Sequence, residues 1–316
     1  MPIAANRYTT TEYLYPHVKR IGHIPPAQTP YLEADIYAIA DAELRTAIMR
    51  QVRNVRENYY AANVLYTAAN PSSVYDIPAR AIGMSLNDIW LESGTSITQV
   101  VRTETNEQIS TVSSPTGFYS AHIAGNQVKI RPLVSGANVR FLYMQRPNTL
   151  VPTSACAQVI AIDGTNTILT FSSMPATFVT GLTYDCVQDQ PGFNWRFIDL
   201  IPTAVGASTM TFASLPLDAY GVPLIQVGDW VSLAGQSCVI QMPVEMLPLL
   251  VQRTVVKYYE SQNYKDKADL AQKKLESMEK DIMSLISPRI QYEPKRIIAD
   301  TSVIAGYRRG RSWQAT

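Results

Sequence analysis

Two segments with helical periodicity stand far apart in this chain. In the first, 32–69, there is neither proline nor glycine, and apolar residues recur every three or four positions, which predicts a long helix. The second, 245–286, repeats this period. The sequence between them, 74–242, is rich in strand-forming residues and turn signals. Because each helix must bury its apolar stripe, we expect the two helices to pack together, with the β region inserted between them.

The sequence therefore predicts an α+β fold. Prolines are frequent before residue 32 and fix the backbone dihedral φ, which favours an extended arm over a helix or strand there. Asn70 and Pro71 end the first helix, since Asn adopts a left-handed cap and Pro cannot continue the hydrogen-bond ladder. The predicted parts are an extended N-terminal arm at 1–31, a discontinuous two-helix domain at 32–73 and 243–287, an inserted antiparallel β sandwich or barrel at 74–242, and an extended C-terminal arm at 288–316.

A meander is predicted for the first half of the β region, 74–150. One hairpin turn is placed at Gly125 and Asn126, and a second around 135–138. Each turn is flanked by residues that favour strands, so consecutive strands should pair with each other.

The second half of the β region, 151–242, contains a weak internal repeat. NTILTFSSMP at 166–175 is similar to STMTFASLP at 208–216, and a strand led by glycine follows each copy. Two copies of a small β unit packed in a sandwich or barrel would explain this similarity. Chance likeness between short β segments is the alternative.

The second helix carries a narrow apolar seam. Its members alternate in steps of four and three, the spacing of a seam against one partner helix. Charged residues cover the other faces, with Asp269 and Glu276 each placed four residues before a lysine. The seam could dock on its own domain or meet a neighbouring subunit. Its residues are Tyr264, Ala268, Ala271, Leu275, Met278, Ile282 and Leu285.

The C-terminal segment, 287–316, combines an excess of basic residues with many apolar ones, in a chain whose net charge is only +1. It lacks a helical period, so it should become ordered by lying against a partner's surface. A solubilising tail and a nucleic-acid-binding arm are the alternatives. The residues expected to bind the partner are Arg289, Ile297, Ile298, Tyr307, Arg308, Arg309, Arg311 and Trp313.

No catalytic, cofactor or metal motif is visible, so we expect no enzyme, no cofactor and no metal. The three histidines, His17, His23 and His122, fall in no metal-binding pattern, and glycines show turn spacing without phosphate-loop spacing. The three cysteines are far apart, which favours small buried side chains. Four aspartates could form a carboxylate pair or a calcium site, but isolated aspartates in β segments usually cap turns. They are Asp185, Asp189, Asp199 and Asp229.

Charge and hydropathy suggest where the protein acts. Charged residues make up 17% of the chain, too few and too balanced for a protein that mainly grips phosphate backbones. The opening residues lack the apolar stretch of a secretion signal, and no apolar run approaches the length that spans a bilayer. We therefore expect the chain to remain, or to assemble, in the cytoplasm where it is made.

Several segments, taken in order, give a resemblance to a known family. The order of the segments resembles the head-to-tail connector or adaptor proteins that form rings at the neck of tailed bacteriophages, over roughly residues 32–290. The segments are VYDIPARAIG at 74–83, GFYSAHIAGNQVKIRP at 117–132, RFLYMQRPNTLV at 140–151, VGDWVSLAG at 227–235, IQMPVEMLPLLVQRTVVKYYE at 240–260 and LISPR at 285–289.

The resemblance implies a structural virion protein of the neck, assembled in the host cytoplasm, without catalysis. It implies a homo-oligomeric ring, commonly twelvefold, that is bound beneath the portal protein and joins it to the tail, with DNA passing through the channel. Compact adaptors lack so large a β region, which leaves open whether this chain contacts the portal directly or forms a second ring below.

Two other classes remain as alternatives. A virion receptor-binding or fibre-anchoring protein would use the β region to bind carbohydrate, with Trp195, Trp230 and tyrosines as stacking faces. A tail-associated hydrolase would need two carboxylates paired in a cleft. Exposed aromatic side chains in a β groove would favour the first of these.

Overall fold

The computed structural model describes residues 8–24, 33–67, 72–102, 119–134, 136–218 and 220–286. The chain is a mixed α+β protein whose strands pair antiparallel, except for two short parallel pairs, in the described part. Its helices are α1 (Tyr15–Ile21), α2 (Glu33–Glu43), α3 (Met49–Val55), α4 (Leu247–Ser261) and α5 (Lys265–Ile286), with π-helical turns at Thr10–Leu14 and Leu44–Ile48.

The extended N-terminal arm is a wrong prediction for its middle part, because α1 and the turn before it are helical. Pro16 is the second residue of α1 and directly follows the π-helical turn Thr10–Leu14. Leu14 and Val18 are buried in the core that α2 and α4 share. The rest of the predicted arm, 1–7 and 25–31, lies outside the described residues.

The first predicted helix is too long. It ends at Val55, and the chain turns into strand β1 (Ala61–Tyr66). β1 pairs residue by residue with 139–144, and this pairing outweighs a helical period that the segment also carries. The β region therefore begins at residue 61, before the predicted boundary at 74.

The second predicted helix is two helices. Asn263 adopts a left-handed conformation with φ 58°, which ends α4, and α5 begins at Lys265. The Gln252 side chain of α4 donates to the Ala271 carbonyl of α5 at 3.0 Å, so α5 folds back along α4. The segment forms a helical hairpin rather than one long rod.

Two sheets share one hydrophobic core in the first β unit. In chain order its strands are β1, β2 (Ser72–Asp76), β3 (Asp88–Ser93), β4 (Ser96–Gln99), β5 (Val101–Arg102), β6 (Ser120–Ala124), β7 (Gln127–Val134) and β8 (Asn138–Met144). They form sheets of order β1-β8-β3-β4 and β2-β7-β6-β5. Ile89 and Phe141 from the first sheet meet Val128 and Ile130 from the second.

Of the two predicted hairpins, one is confirmed. β6 and β7 pair around the turn at Gly125 and Asn126. The hairpin around 135–138 is wrong, because β7 and β8 belong to different sheets and the connection crosses between them. Both strands place apolar side chains in the shared core. The sequence pattern is therefore equally compatible with two strands paired in one sheet and with two strands that face each other from different sheets.

The second β unit is an open, curled sheet, which we call the barrel, beside a short pair of strands. Its strands are β9 (Thr149–Leu150), β10 (Ala157–Ile162), β11 (Ile168–Phe171), β12 (Tyr184–Val187), β13 (Trp195–Leu200), β14 (Ala204–Val205), β15 (Thr209–Thr211), β16 (Trp230–Leu233) and β17 (Gln236–Ser237). Seven of these form a sheet of order β13-β12-β16-β10-β11-β15-β14. Its two edge strands, β13 and β14, are separated only by residues 201–203, so the sheet curls until its edges come close together, but these two strands are not paired with each other in the described residues.

The two copies of the predicted repeat lie side by side in this barrel. β11 pairs antiparallel with β15, and the equivalent residues Leu169 and Met210 stand directly opposite each other. β12 pairs antiparallel with β16 in the same symmetric way, Tyr184 opposite Leu233 and Val187 opposite Trp230. Equivalent strands that pair antiparallel are related by a local twofold axis, so the two copies form one symmetric unit.

A separate core holds the helices together. Residues from α1, α2, α3, α4 and α5 share it, although the last two follow the whole β region in sequence. Tyr60, Met144 and Leu150 extend this core toward the β units. The two distant helical segments thus bury their apolar stripes against each other.

Candidate assembly surfaces

A buried ion pair joins the two β units. Arg80, after β2, donates from both terminal nitrogens to the Asp185 carboxylate on β12, at 2.8 and 3.0 Å. The Asp185 side chain is fully buried and also accepts from Asn148 Nδ2 at 2.9 Å and the Gly235 amide at 2.8 Å. Arg80 also contacts the Asp199 carboxylate at 2.6 Å. This bidentate, multiply bonded pair fixes the orientation of one unit against the other.

A second buried carboxylate organises the barrel. Asp229 accepts from Arg196 Nε and from the Gln226 amide, both at 2.8 Å. Burial raises the pKa of the Asp229 carboxyl, and these donors oppose the increase. Nearby, the Asp189 carboxylate accepts from the Trp230 indole at 2.9 Å. The four aspartates noted in the sequence thus act as hydrogen-bond acceptors within the fold.

The N-terminal segment ties the helices to the β units. The Thr10 amide donates to the Cys238 carbonyl at 2.8 Å, and its hydroxyl donates to the Val151 carbonyl at 2.5 Å. The Thr9 hydroxyl caps the following turn by accepting from the Glu12 amide at 3.2 Å. Threonine followed three residues later by glutamate is the sequence signature of a capping box, and this signal could have indicated the helix.

The predicted seam on α5 is divided by the structure into a buried and an exposed part. Ala268, Ala271 and Leu275 are buried in the helical core, with Met278 and Ile282 packed against it. Tyr264 and Leu285 are 48% and 69% exposed, so they do not join the core of the subunit, and their part of the seam stays a prediction. Tyr264 precedes α5 in the turn, and Leu285 lies at the other end of the helix. The buried part contacts the chain's own helices.

Charged residues connect the helices on another side of α5. Arg253 of α4 pairs with Glu43 of α2 at 3.2 Å and with Glu279 of α5. The Gln51 amide of α3 also donates to Glu279 at 3.1 Å. Glu279 of the charged face is therefore used within the subunit.

The predicted partner-binding residues lie outside the described residues. They are Arg289, Ile297, Ile298, Tyr307, Arg308, Arg309, Arg311 and Trp313. Their assignment to a partner surface stays a prediction.

A loop between β15 and β16 presents apolar side chains to solvent. Tyr220 is 92% exposed, and Leu217 and Val222 are about half exposed. The Asp218 carboxylate accepts from the Tyr220 and Val222 amides, each at 2.8 Å, and the Asp218 amide donates to the Val222 carbonyl at 2.8 Å. Gly221 adopts a φ of 79°, which closes the turn. We call residues 216–218 and 220–224 the tyrosine loop.

Sequence reasoning missed the tyrosine loop. Its signal is LPLDAYGVPL at 215–224, in which aspartate and glycine stand at turn positions between two prolines. The apolar residues at its tip were included in the predicted β region. Only the three-dimensional structure distinguishes apolar residues that fill a core from those at the tip of a loop.

A groove of about 310 Å³ lies on the helical core, where α1, α4 and α5 meet. Its apolar lining comes from Ile21, Val255, Tyr259 and Leu270, and Leu270 is 68% exposed. Lys267 also lines it, with Nζ 5.9 Å from the centroid of the Tyr259 ring. We call this site the helical groove; it combines apolar surface with positive charge.

The two tryptophans considered for carbohydrate stacking are half-buried. Trp195 packs edge-on against Phe193, with ring centroids 5.6 Å apart. Both tryptophans pack against a small core formed by Cys156, Val187, Cys238 and Val239. The Trp230 indole N–H also donates to Asp189. Both therefore contribute to the junction between the barrel and the rest of the chain.

Within the described ranges, no three or more His, Cys, Asp or Glu side chains are grouped so as to hold a metal ion. Among the helices described above, none is both long enough and apolar enough to cross a membrane. The three cysteines are all buried and free.

Comparison with known proteins adds no assignment. No protein-family model matches the chain, and no curated protein matches it in sequence.

Proposed function

We propose that this chain is a structural protein of a tailed-phage neck, forming a homo-oligomeric ring that joins the portal to the tail. The proposal starts from the resemblance of the segments in 32–290 to head-to-tail adaptor proteins. In this interpretation the helical core is a discontinuous domain and the two β units are its insertion, projecting from the ring. The portal and a tail or second neck-ring protein are its proposed partners.

The observation that carries the proposal is a pair of unlike exposed surfaces. The tyrosine loop is a convex apolar tip on the barrel, and the helical groove is a concave apolar site on the helices. A closed ring with more than two subunits needs two different, complementary faces on each copy. A twofold dimer would need only one self-complementary surface, so two unlike surfaces favour a ring.

Contacts between the parts of the chain support the same function. The Arg80–Asp185 pair joins the two β units, and Thr10 hydrogen-bonds to Cys238 and Val151 beside the short strands β9 and β17. A ring closes at a defined copy number only when the angle between its two contact faces is fixed. Contacts of this kind would help to fix that angle.

A near-neutral chain suits a channel through which DNA must move. Each lysine or arginine that neutralised a phosphate would add affinity and resist sliding. The net charge of +1 provides no general excess of positive charge for such contacts.

We expect purified protein to form closed rings in negative-stain images, and a label on it to mark the neck of its virion. Mass photometry measures the copy number, for which twelve is the expected value. The assembled ring should bind duplex DNA weakly, as measured by fluorescence anisotropy over a series of salt concentrations. Tight binding that weakens steeply with salt, or a label on peripheral spikes, would contradict the proposal and favour the other classes.

Deleting 289–316 is expected to abolish ring closure or docking to the portal while leaving the thermal unfolding transition of the subunit nearly unchanged. The reason is the composition of this segment, which is basic and apolar without a helical period. The measurements are calorimetry for folding and sedimentation with portal protein for docking. Replacing Arg308, Arg309 and Arg311 with serine separates the contribution of charge. Normal assembly of the truncated protein would show that the segment has no such role.

A further inference from the structure

Hydrogen bonds connect the described residues of the tyrosine loop to one another. Four backbone amides, those of Asp218, Tyr220, Gly221 and Val222, donate within the loop. The Leu224 amide closes its base by donating to the Pro216 carbonyl at 3.1 Å. A loop fixed in this way loses little conformational entropy on binding, which favours affinity.

The apolar tip of the loop is exposed to solvent in the described part of the chain. Tyr220 is almost fully exposed, and Leu217, Val222 and, after the loop, Val227 are each about half exposed. Scattered exposed hydrophobic residues are ordinary, but a cluster on an ordered loop marks an interaction surface. Tyrosine is also among the residues that most often dominate binding energy.

The helical groove is complementary to this tip in shape and in charge. A volume of about 310 Å³ accepts an aromatic ring with a neighbouring aliphatic side chain. The loop brings the exposed Asp218 carboxylate, whose Oδ1 accepts the two loop amides. The groove brings Lys267 and Lys274.

The aromatic groups of the groove provide a further contact. Lys267 Nζ already lies 5.0 Å from the ring centroid of Tyr264 and 5.9 Å from that of Tyr259. A third tyrosine entering beside them would find a cation and two ring edges. These features recognise an aromatic residue next to an acid, which is the chemistry of the loop tip.

We propose that the tyrosine loop of one subunit docks into the helical groove of a second copy of this chain. This inference rests on the proposed ring, for which it names the contact between neighbours. The contact is head to tail, because the loop belongs to the barrel and the groove to the helical core, so each copy offers two different surfaces. It repeats around the ring without using the same surface twice.

Cross-linking tests the contact directly. The three native cysteines are buried, so Tyr220→Cys and Leu270→Cys introduce the accessible thiols. The full-length double variant, treated with a short bismaleimide, should give a ladder of dimers, trimers and larger species on a denaturing gel. A mixture of the two single variants should stop at dimers, since each copy then carries one reactive side. Either single variant alone should stay monomeric.

An assembly measurement provides the second arm. Tyr220→Ser should raise the concentration at half-assembly about tenfold or more in mass photometry, the effect of removing one interface tyrosine worth over 1.4 kcal/mol. Ile97→Ser is the matched control, because Ile97 is a 63% exposed apolar residue on β4, away from both surfaces. It should leave assembly unchanged. Both substitutions replace exposed side chains, and an unaltered thermal transition verifies folding.

The outcomes separate the contact from the function. Closed rings without the Tyr220–Leu270 cross-link, or dimers from Tyr220→Cys alone, would overturn the proposed contact and leave the ring intact. A cross-linked ladder from open chains, with no closed ring, would uphold the contact and overturn the proposed neck function. Equal assembly of Tyr220→Ser and Ile97→Ser would overturn the contact.

Discussion

Replacing Arg80 with alanine is expected to lower the free energy of unfolding by about 3 kcal/mol, because it leaves the buried Asp185 carboxylate without its counterion. Asp185 keeps the donors Asn148 and Gly235, so its negative charge stays hydrogen-bonded but is no longer neutralised. Urea unfolding followed by circular dichroism measures the loss. Because Arg80 spans two β units, we also expect the unfolding transition to broaden as the units unfold less cooperatively.

Arg140→Ala is the matched control. Arg140 makes a bidentate pair with Glu92, as Arg80 does with Asp185, but both side chains of the Arg140–Glu92 pair are partly exposed. Such pairs contribute about 0–1 kcal/mol. The loss in free energy of unfolding for Arg80→Lys should fall between those of the two alanine variants, since lysine keeps the charge but lacks the planar guanidinium group. If Arg80→Ala lowers the free energy of unfolding by no more than Arg140→Ala does, the buried Arg80–Asp185 pair stabilises the fold no more than the exposed pair.

Replacing Leu275 with alanine is expected to cost about 2–5 kcal/mol, the range for removing a leucine from a packed core. Leu275 is 3% exposed and lies in the core shared by all the helices. The cavity would loosen α5 against α4 and disturb the wall of the helical groove. The loss is measured as a lower midpoint of chemical unfolding.

Leu285→Ala provides the comparison within the same helix and the same predicted seam. Leu285 is 69% exposed, so its truncation removes little packing and should change stability by at most about 0.5 kcal/mol. Equal losses for the two leucines would mean that the whole seam is buried in the assembled protein. That result would support the alternative in which part of the seam meets a neighbouring subunit.

The residue pattern was sufficient for long, periodic elements. The helical structure of α2, α4 and α5 was predicted because apolar residues at helical spacing leave few other ways to bury a stripe, but the turn at Asn263 that separates α4 from α5 was not. The hairpin at Gly125 and Asn126 followed from two residues that tolerate left-handed backbone. The likeness between 166–175 and 208–216 indicated two similar units, since similar sequences favour similar local structure.

The segment that begins at residue 61 shows where the sequence pattern was insufficient to predict the secondary structure. Ala61–Tyr66 fits a helix and a strand equally well, and its pairing with β8 decided between them. β7 and β8 could pair or face each other, and the core between the sheets decided that. In both cases the free energy that selects the structure comes from residues distant in sequence.

The candidate surfaces divide in the same way. Sequence alone determined the near-neutral charge, the apolar seam, the helical stripes and the turn chemistry around Asp218, since these depend on residue type and local spacing. Only the tertiary structure decided that Leu275 is buried and Leu285 exposed, that Arg80 neutralises Asp185, and that Tyr220 reaches solvent. Burial and ion pairing depend on which distant segments the fold brings together, and spacing along the chain does not specify that.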